Sequence, residues 1–212
     1  MSRRVRRLRS VRSHADAGQT LPLYIWLTAI LLFAALAFFA FAQAASARNG
    51  AQSAADAAAL AGAQAIRDEL AEGLGTAIGT GEGDEWLDWL DGDMFTAEGA
   101  REAADALAAE NDSAVDDAGS TEVDGYPGYA VGVTTNYTVG DSIIPGTESQ
   151  HAKAEATAVI KPRCDAEVPT DPGDVVEFTC DGQEDPIEID PEDFDPDDLP
   201  DPSVLFSVHL AK

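Results

Sequence analysis

The pattern of apolar and polar positions first predicts a membrane-spanning helix near the N-terminus. Residues 21–42, which we call the apolar segment, are apolar almost throughout and carry no charge. About 20 such residues cross a bilayer as an α-helix. Tyr24 and Trp26 lie near its N-terminal end, where amphipathic rings favour the interface. The pattern therefore predicts a transmembrane helix over residues 21–43, preceded by a basic segment over residues 1–20.

The helical pattern then continues with almost no side-chain bulk. Residues 44–72 are rich in alanine, the strongest helix former, and contain no proline. We expect one helix from about Pro22 to about Ala71. Small residues recur every four positions, a spacing typical of close helix packing in or near membranes. The face they form would contact the chain's own outer domain or neighbouring subunits, unless the segment is an unpartnered stalk. The residues are Ala47, Ala51, Ala55 and Ala59 in one row and Ala54, Ala58 and Gly62 in a second.

These two segments together resemble a known protein family. Gly18-Gln19 precedes the apolar run, and Gln52 precedes the alanine-rich block Ala55–Ala63. In this arrangement, residues 16–66 are similar to the N-terminal region of TadE/TadG-type proteins, in particular actinobacterial ones. The family belongs to the tight-adherence (Tad) system that assembles Flp pili. The resemblance implies a membrane-anchored, pseudopilin-like component of pilus assembly or secretion.

The N-terminus of the mature chain is a separate question. Type IV-like prepilins are cut after a glycine and carry Glu five residues later, but Leu23 stands at that distance from Gly18. A cleaved signal peptide is the rival interpretation, with Ala45-Ser46-Ala47 as its A-x-A site. Since signal-peptide apolar regions run to about 15 residues, the apolar segment is too long. We expect the anchor to stay uncleaved, while processing at Gly18 or elsewhere is left open.

Charge is divided unequally along the chain. Residues 49–212 hold 38 of the 39 acidic residues and only six basic ones. Such an acidic body repels nucleic acid. Basic residues next to a transmembrane helix stay in the cytoplasm, so we expect the N-terminus there and the C-terminal domain outside. The orienting residues are Arg3, Arg4, Arg6, Arg7, Arg9 and Arg12.

Beyond the long helix, the pattern of apolar and polar residues predicts a break, then two short helices, and then strands. The five glycines of Gly73–Glu85 suggest a flexible break. Trp86, Leu87, Trp89 and Leu90 would share one face of a short helix, and a second helix would run from Ala97 to Asn111 with Thr96 as its N-cap. Alternation of period two predicts an antiparallel pair of strands, with two more strands to follow. The four predicted strands are Tyr129–Val139, His151–Cys164, Val175–Cys180 and Ser203–Leu210.

The expected fold class is α+β: a long N-terminal transmembrane helix, extended by an alanine-rich helix, followed by a small antiparallel β-sheet domain of pilin-like plan. The predicted division is a cytoplasmic basic segment (1–20), transmembrane helix (21–43), alanine-rich helix (44–72), extracytoplasmic α+β domain (73–180), acidic proline-rich linker (181–202) and C-terminal strand (203–212).

The two cysteines and the acidic linker are the remaining candidate features. Cys164 and Cys180 fall in the region placed outside the membrane, so we expect a disulfide between them. The linker would be extended and solvated because its acids repel one another. Its aspartates do not fit an EF-hand, since counting from Asp193 puts Asp198 where the loop needs glycine. Weak binding of divalent cations is left open.

No sequence motif points to catalysis. Motifs for serine hydrolases, zinc peptidases and phosphate-binding loops are missing, and we expect no enzyme, no cofactor and no metal centre. The expected partners are other pilus-assembly or membrane proteins, bound through the N-terminal helix, with a homo-oligomer as a further option. The alternative function is a surface-anchored acidic module that binds cations or cell-wall polymers and has no pilus role.

Overall fold

The computed structural model describes residues 20–80, 85–140, 149–167, 174–195 and 198–211. The chain divides into two compact units, the first ending at Ala42 and the second beginning at Gln43. The six orienting arginines and Gly18-Gln19 lie outside the described residues.

A single helix, α1, spans Thr20–Thr80. It ends later than the predicted Ala71, and the prediction of a flexible break was wrong for residues 73–80. Leu74 and Ile78 in this stretch are buried, so core packing offsets the roughly 1 kcal/mol that each helical glycine costs. Tertiary contact, and not local propensity, keeps residues 73–80 helical.

Two shorter helices follow, α2 at Trp86–Leu90 and α3 at Ala100–Glu110. The four apolar residues of α2 are not equally buried: Trp86 and Leu90 are in the core, whereas Leu87 and Trp89 are half-buried. The prediction that Thr96 caps the next helix was wrong. Helix α3 begins after Gly99, whose φ of 81° suits glycine, and Thr96 instead binds Glu69 of α1.

An antiparallel four-stranded sheet has the order β1-β2-β3-β7. Strand β1 was not predicted, because its acids and small residues interrupt any alternation. A two-residue turn joins it to β2, and Asp124 and Gly125 both have positive φ, as a type I′ hairpin requires. The predicted pairing of the next two strands is confirmed. The strands are β1 Ser113–Val123, β2 Tyr126–Thr138, β3 His151–Pro162 and β7 Phe206–Leu210.

A second, three-stranded sheet contains β4 Cys164–Ala166, β5 Val176–Cys180 and β6 Ile187–Ile189, in that order. Strand β6 falls within residues 181–202, which were expected to be an extended, solvated linker. That expectation was wrong for this part of the segment, since Ile189 is buried in the core.

The C-terminal region also differs from its prediction. A short helix, α4, occupies Pro202–Leu205, where the sequence predicted the start of a strand. The Asp201 carboxylate accepts a hydrogen bond from the Ser203 backbone N–H at 2.9 Å, which caps this helix. Strand β7 then begins at Phe206. The α+β class is confirmed, as a long apolar N-terminal helix followed by an antiparallel sheet domain.

Candidate functional site: the two surfaces of helix α1

The apolar segment presents its large side chains outward. Trp26 is 71% exposed and Phe41 is 76% exposed, and the other large side chains between them are exposed as well. Among the described residues, α1 is the one helix long and apolar enough to cross a membrane, and its most apolar stretch is wholly unburied. A soluble protein rarely exposes so much contiguous apolar surface. The first unit therefore indicates single-pass membrane anchoring.

Seven small residues of α1, which we call the alanine seam, are buried, in contrast to the exposed apolar segment. All of them are buried within the second unit. Ala47 and Ala51 pack with Ala152 of β3 in a small cluster, and the other four alanines of the seam belong to the main core. The seam consists of Ala47, Ala51, Ala54, Ala55, Ala58, Ala59 and Gly62.

The reason for small side chains at the seam is the sheet that covers it. On the inner face of that sheet, Tyr129 and Val131 of β2 pair with Ala158 and Ala156 of β3. A Cβ atom at Gly62 would overlap the Tyr129 ring. The ring is buried, and its burial raises the pKa of the Tyr129 hydroxyl. The surface that the sequence left open to the chain's own domain or to another subunit is thus occupied by the chain's own sheet.

Glycines outside the predicted seam accept large side chains in the same way. A Cβ atom at Gly73 would overlap Trp89, and one at Gly50 would overlap the Tyr137 hydroxyl. From sequence, Gly73 was expected to lie in a flexible break, and neither contact was predicted. The contacting aromatic residues are distant in sequence, so no local pattern gave a signal for these contacts.

One polar contact ties α1 to the segment before α3. The Thr96 backbone N–H and the Thr96 hydroxyl both donate to Glu69 Oε1, at 2.6 and 2.7 Å. The second carboxylate oxygen, Oε2, is buried without a hydrogen-bond partner. This contact holds the connection between α2 and α3 against the helix.

The predicted disulfide between Cys164 and Cys180 is confirmed. The two residues are direct cross-strand partners on β4 and β5. Arg163, which precedes Cys164, also stabilises this region. Its guanidinium donates to the backbone carbonyls of Ser203 at 3.0 Å and Asp181 at 2.8 Å. The small sheet is therefore linked covalently within itself and by hydrogen bonds to the C-terminal helix.

An ion pair lies on the exposed face of the larger sheet. Thr134 Oγ1 donates to Asp116 at 2.5 Å and Lys153 Nζ donates at 3.1 Å. Both hydrogen bonds lower the pKa of the Asp116 carboxyl, and the bond from Thr134 has the larger effect. In the part of the chain that the structure describes, His, Cys, Asp and Glu side chains form no group of three or more that could hold a metal ion.

Comparison with known proteins finds one protein family whose model matches part of the chain. The model of a family described as putative Flp pilus-assembly TadE/G-like matches residues 18–65. The match confirms the resemblance for those residues, which are less than a quarter of the chain and include the apolar segment and the whole alanine seam. The family description refers to pilus assembly and not to an enzyme. No curated protein matches the chain, and no solved structure matches it.

Proposed function

We propose that this protein is a pseudopilin-like, single-pass component of a Tad/Flp-type pilus assembly or secretion apparatus, acting by protein–protein association and not by catalysis. The observation that carries the proposal is the place of the family match. It falls on a stretch of α1 in which an exposed apolar segment is followed directly by small residues buried under a sheet. This combination suits a membrane-held structural subunit.

The proposed orientation follows from charge and from the disulfide. Six arginines precede the apolar segment, and almost all of the acidic residues follow it. Arginines next to a transmembrane helix remain in the cytoplasm, and disulfides persist outside it. Both considerations support a cytoplasmic N-terminus and an extracytoplasmic second unit.

The alanine seam has an indirect part in this function. Because its residues are already buried by β2 and β3, its role is to fix the sheet on α1. Association with other apparatus proteins then uses the apolar segment within the bilayer and the exposed surfaces of the second unit.

Co-purification tests the function directly. The tagged full chain, extracted from native membranes in mild detergent, is expected to co-purify with a pilus ATPase or an inner-membrane platform protein of the same apparatus. A chain whose apolar segment is replaced by that of an unrelated single-pass protein is the matched control for helix-specific contacts. Recovery of neither protein with the intact chain would contradict the pilus role and favour the surface-anchored binding module.

Cysteine labelling tests the orientation separately. Native Cys164 and Cys180 are disulfide-bonded, so a new cysteine is the only free thiol. A membrane-impermeant maleimide is expected to label Glu122→Cys in intact cells and Ser10→Cys only after lysis. The reverse pattern would disprove the orientation.

Mass spectrometry of the mature N-terminus distinguishes an uncleaved anchor from a signal peptide or a processed prepilin.

A further inference from the structure

A groove of about 670 Å³ lies beside the C-terminal half of α1. One wall is α1 itself, where Ala71 and Gly75 present almost no side chain. The other wall comes from the region expected to be a solvated linker and includes Phe194 and Leu199. The walls meet at the bottom, since a Cβ atom on Gly75 would lie 2.8 Å from a Leu199 methyl carbon. The floor of the groove is therefore apolar and is shaped by the missing side chain of Gly75.

The rim of the groove is acidic on both sides. Glu72 stands on the α1 wall and Asp201 on the opposite wall. Among the described residues, neither carboxylate has a basic side chain within ion-pair distance, whereas Asp68, the third rim carboxylate, is paired with Arg67 at 2.8 Å. Hydrogen bonds from Ser203 lower the pKa of Asp201, and the charge of Arg67, which lies beyond ion-pair distance, lowers it further.

The geometry points to a docking groove for a protein segment in which an apolar side chain stands next to a lysine or arginine. The apolar side chain would enter over Gly75 and Leu199, and the cationic group would lie between Glu72 and Asp201. The chain carries a net charge of −26, which raises the local concentration of a cationic partner and repels acidic ones. The same net charge disfavours the acidic domain of a second copy as the occupant.

This inference rests on the proposed function in one respect only. The proposed function supplies the source of the bound segment, which would be a partner protein on the outer side of the membrane. The binding measurement does not depend on that source. Failure of the groove to bind would leave the anchor and its orientation standing, and failure of the labelling or co-purification experiments would leave the groove to be measured.

The probe is the blocked dipeptide acetyl-Phe-Lys-amide, added to the full chain in lipid nanodiscs with isotope-labelled leucine methyl groups. We expect the Leu199 methyl signals to shift with a Kd on the order of 1 mM. Acetyl-Ser-Lys-amide, which lacks the apolar side chain, and acetyl-Phe-Glu-amide, which reverses the charge, should bind much more weakly. Equal shifts with acetyl-Ser-Lys-amide would show diffuse cation attraction and overturn the proposal, as would no Leu199 shift with the first probe.

The matched variant removes the charges of Glu72 and Asp201 with little change in side-chain shape. Glu72→Gln is exposed, and Asp201→Asn keeps an oxygen that can cap α4. The double variant should bind the probe about threefold more weakly or worse, the range for exposed ion pairs, and its Tm should stay near that of the parent. Glu122→Gln, on the exposed part of β1, is the control and should bind as the parent does. Unchanged affinity in the double variant would overturn recognition by the rim.

Discussion

In the apolar segment of α1, the large rings of Phe38 and Phe41 are both 76% exposed, whereas in the alanine seam the small side chains of Ala55 and Ala59 are fully buried. A globular protein in water normally has the opposite arrangement, with large apolar side chains inside. The contrast is explained by the two surroundings. Lipid accepts large apolar side chains at no cost, while a closely packed sheet leaves room only for a helix with little side-chain bulk.

The largest effect should come from placing a charge in the apolar segment. Leu31→Asp puts a carboxylate near the middle of the proposed span and should oppose membrane insertion by about 3 kcal/mol. We expect the variant to be lost from carbonate-washed membranes. Gln64→Asp makes a charge on the exposed side of the same helix in the second unit and should stay membrane-bound. Equal membrane retention of the two variants would mean that residues 21–42 do not span a bilayer.

The same small-to-large change made in both regions tests the contrast most directly. Ala58→Leu adds bulk under the sheet and should lower the free energy of unfolding by about 1 to 3 kcal/mol. Ala35→Leu adds the same bulk to an exposed position in the apolar segment and should leave stability unchanged. Thermal unfolding of both variants in the same detergent gives the comparison. An Ala58→Leu protein with the parent's Tm would contradict burial of the seam.

A smaller effect is expected at the polar contact between Glu69 of α1 and Thr96. Thr96→Val removes the hydroxyl that donates to Glu69 and leaves the backbone N–H donor in place. We expect a loss of about 1 kcal/mol in the free energy of unfolding. Thr121→Val, an exposed position on β1, is the control and should have almost no effect. If both variants unfold at the same denaturant concentration, the Glu69 contact does not stabilise the fold.

The smallest effect concerns the ion pair between Asp116 and Lys153 on the exposed face of the larger sheet. The folded-state pKa of Asp116 is lowered, so its contribution to stability is fully present above the unfolded pKa of about 3.9. It is lost as the pH falls through the lower folded value. Asp116→Asn should therefore reduce stability slightly at pH 7 and show less loss than the parent on acidification. Parallel curves for the two proteins between neutral and strongly acidic pH would contradict this.

Sequence alone determined the features that depend on local pattern and composition. Continuous apolarity predicted the anchor, and alanine content predicted a long helix. Period-two alternation predicted β3 and most of β2, and a further predicted strand covers β5. The position of two cysteines in a region placed outside the membrane predicted the disulfide. The family resemblance followed from the same residues, because the matched region is the most regular part of the chain.

Tertiary structure alone decided what covers the seam and why α1 continues through residues 73–80. A row of alanines can pack against a neighbouring helix or against the chain's own sheet, and the sequence does not distinguish the two. The position of the Tyr129 ring over Gly62 shows that the sheet covers it. Gly73, Gly75 and Gly79 have low helix propensity, yet they remain helical because Trp89, Leu199 and Phe194 pack against them. Residues distant in sequence supply those contacts, so no local pattern contains the information.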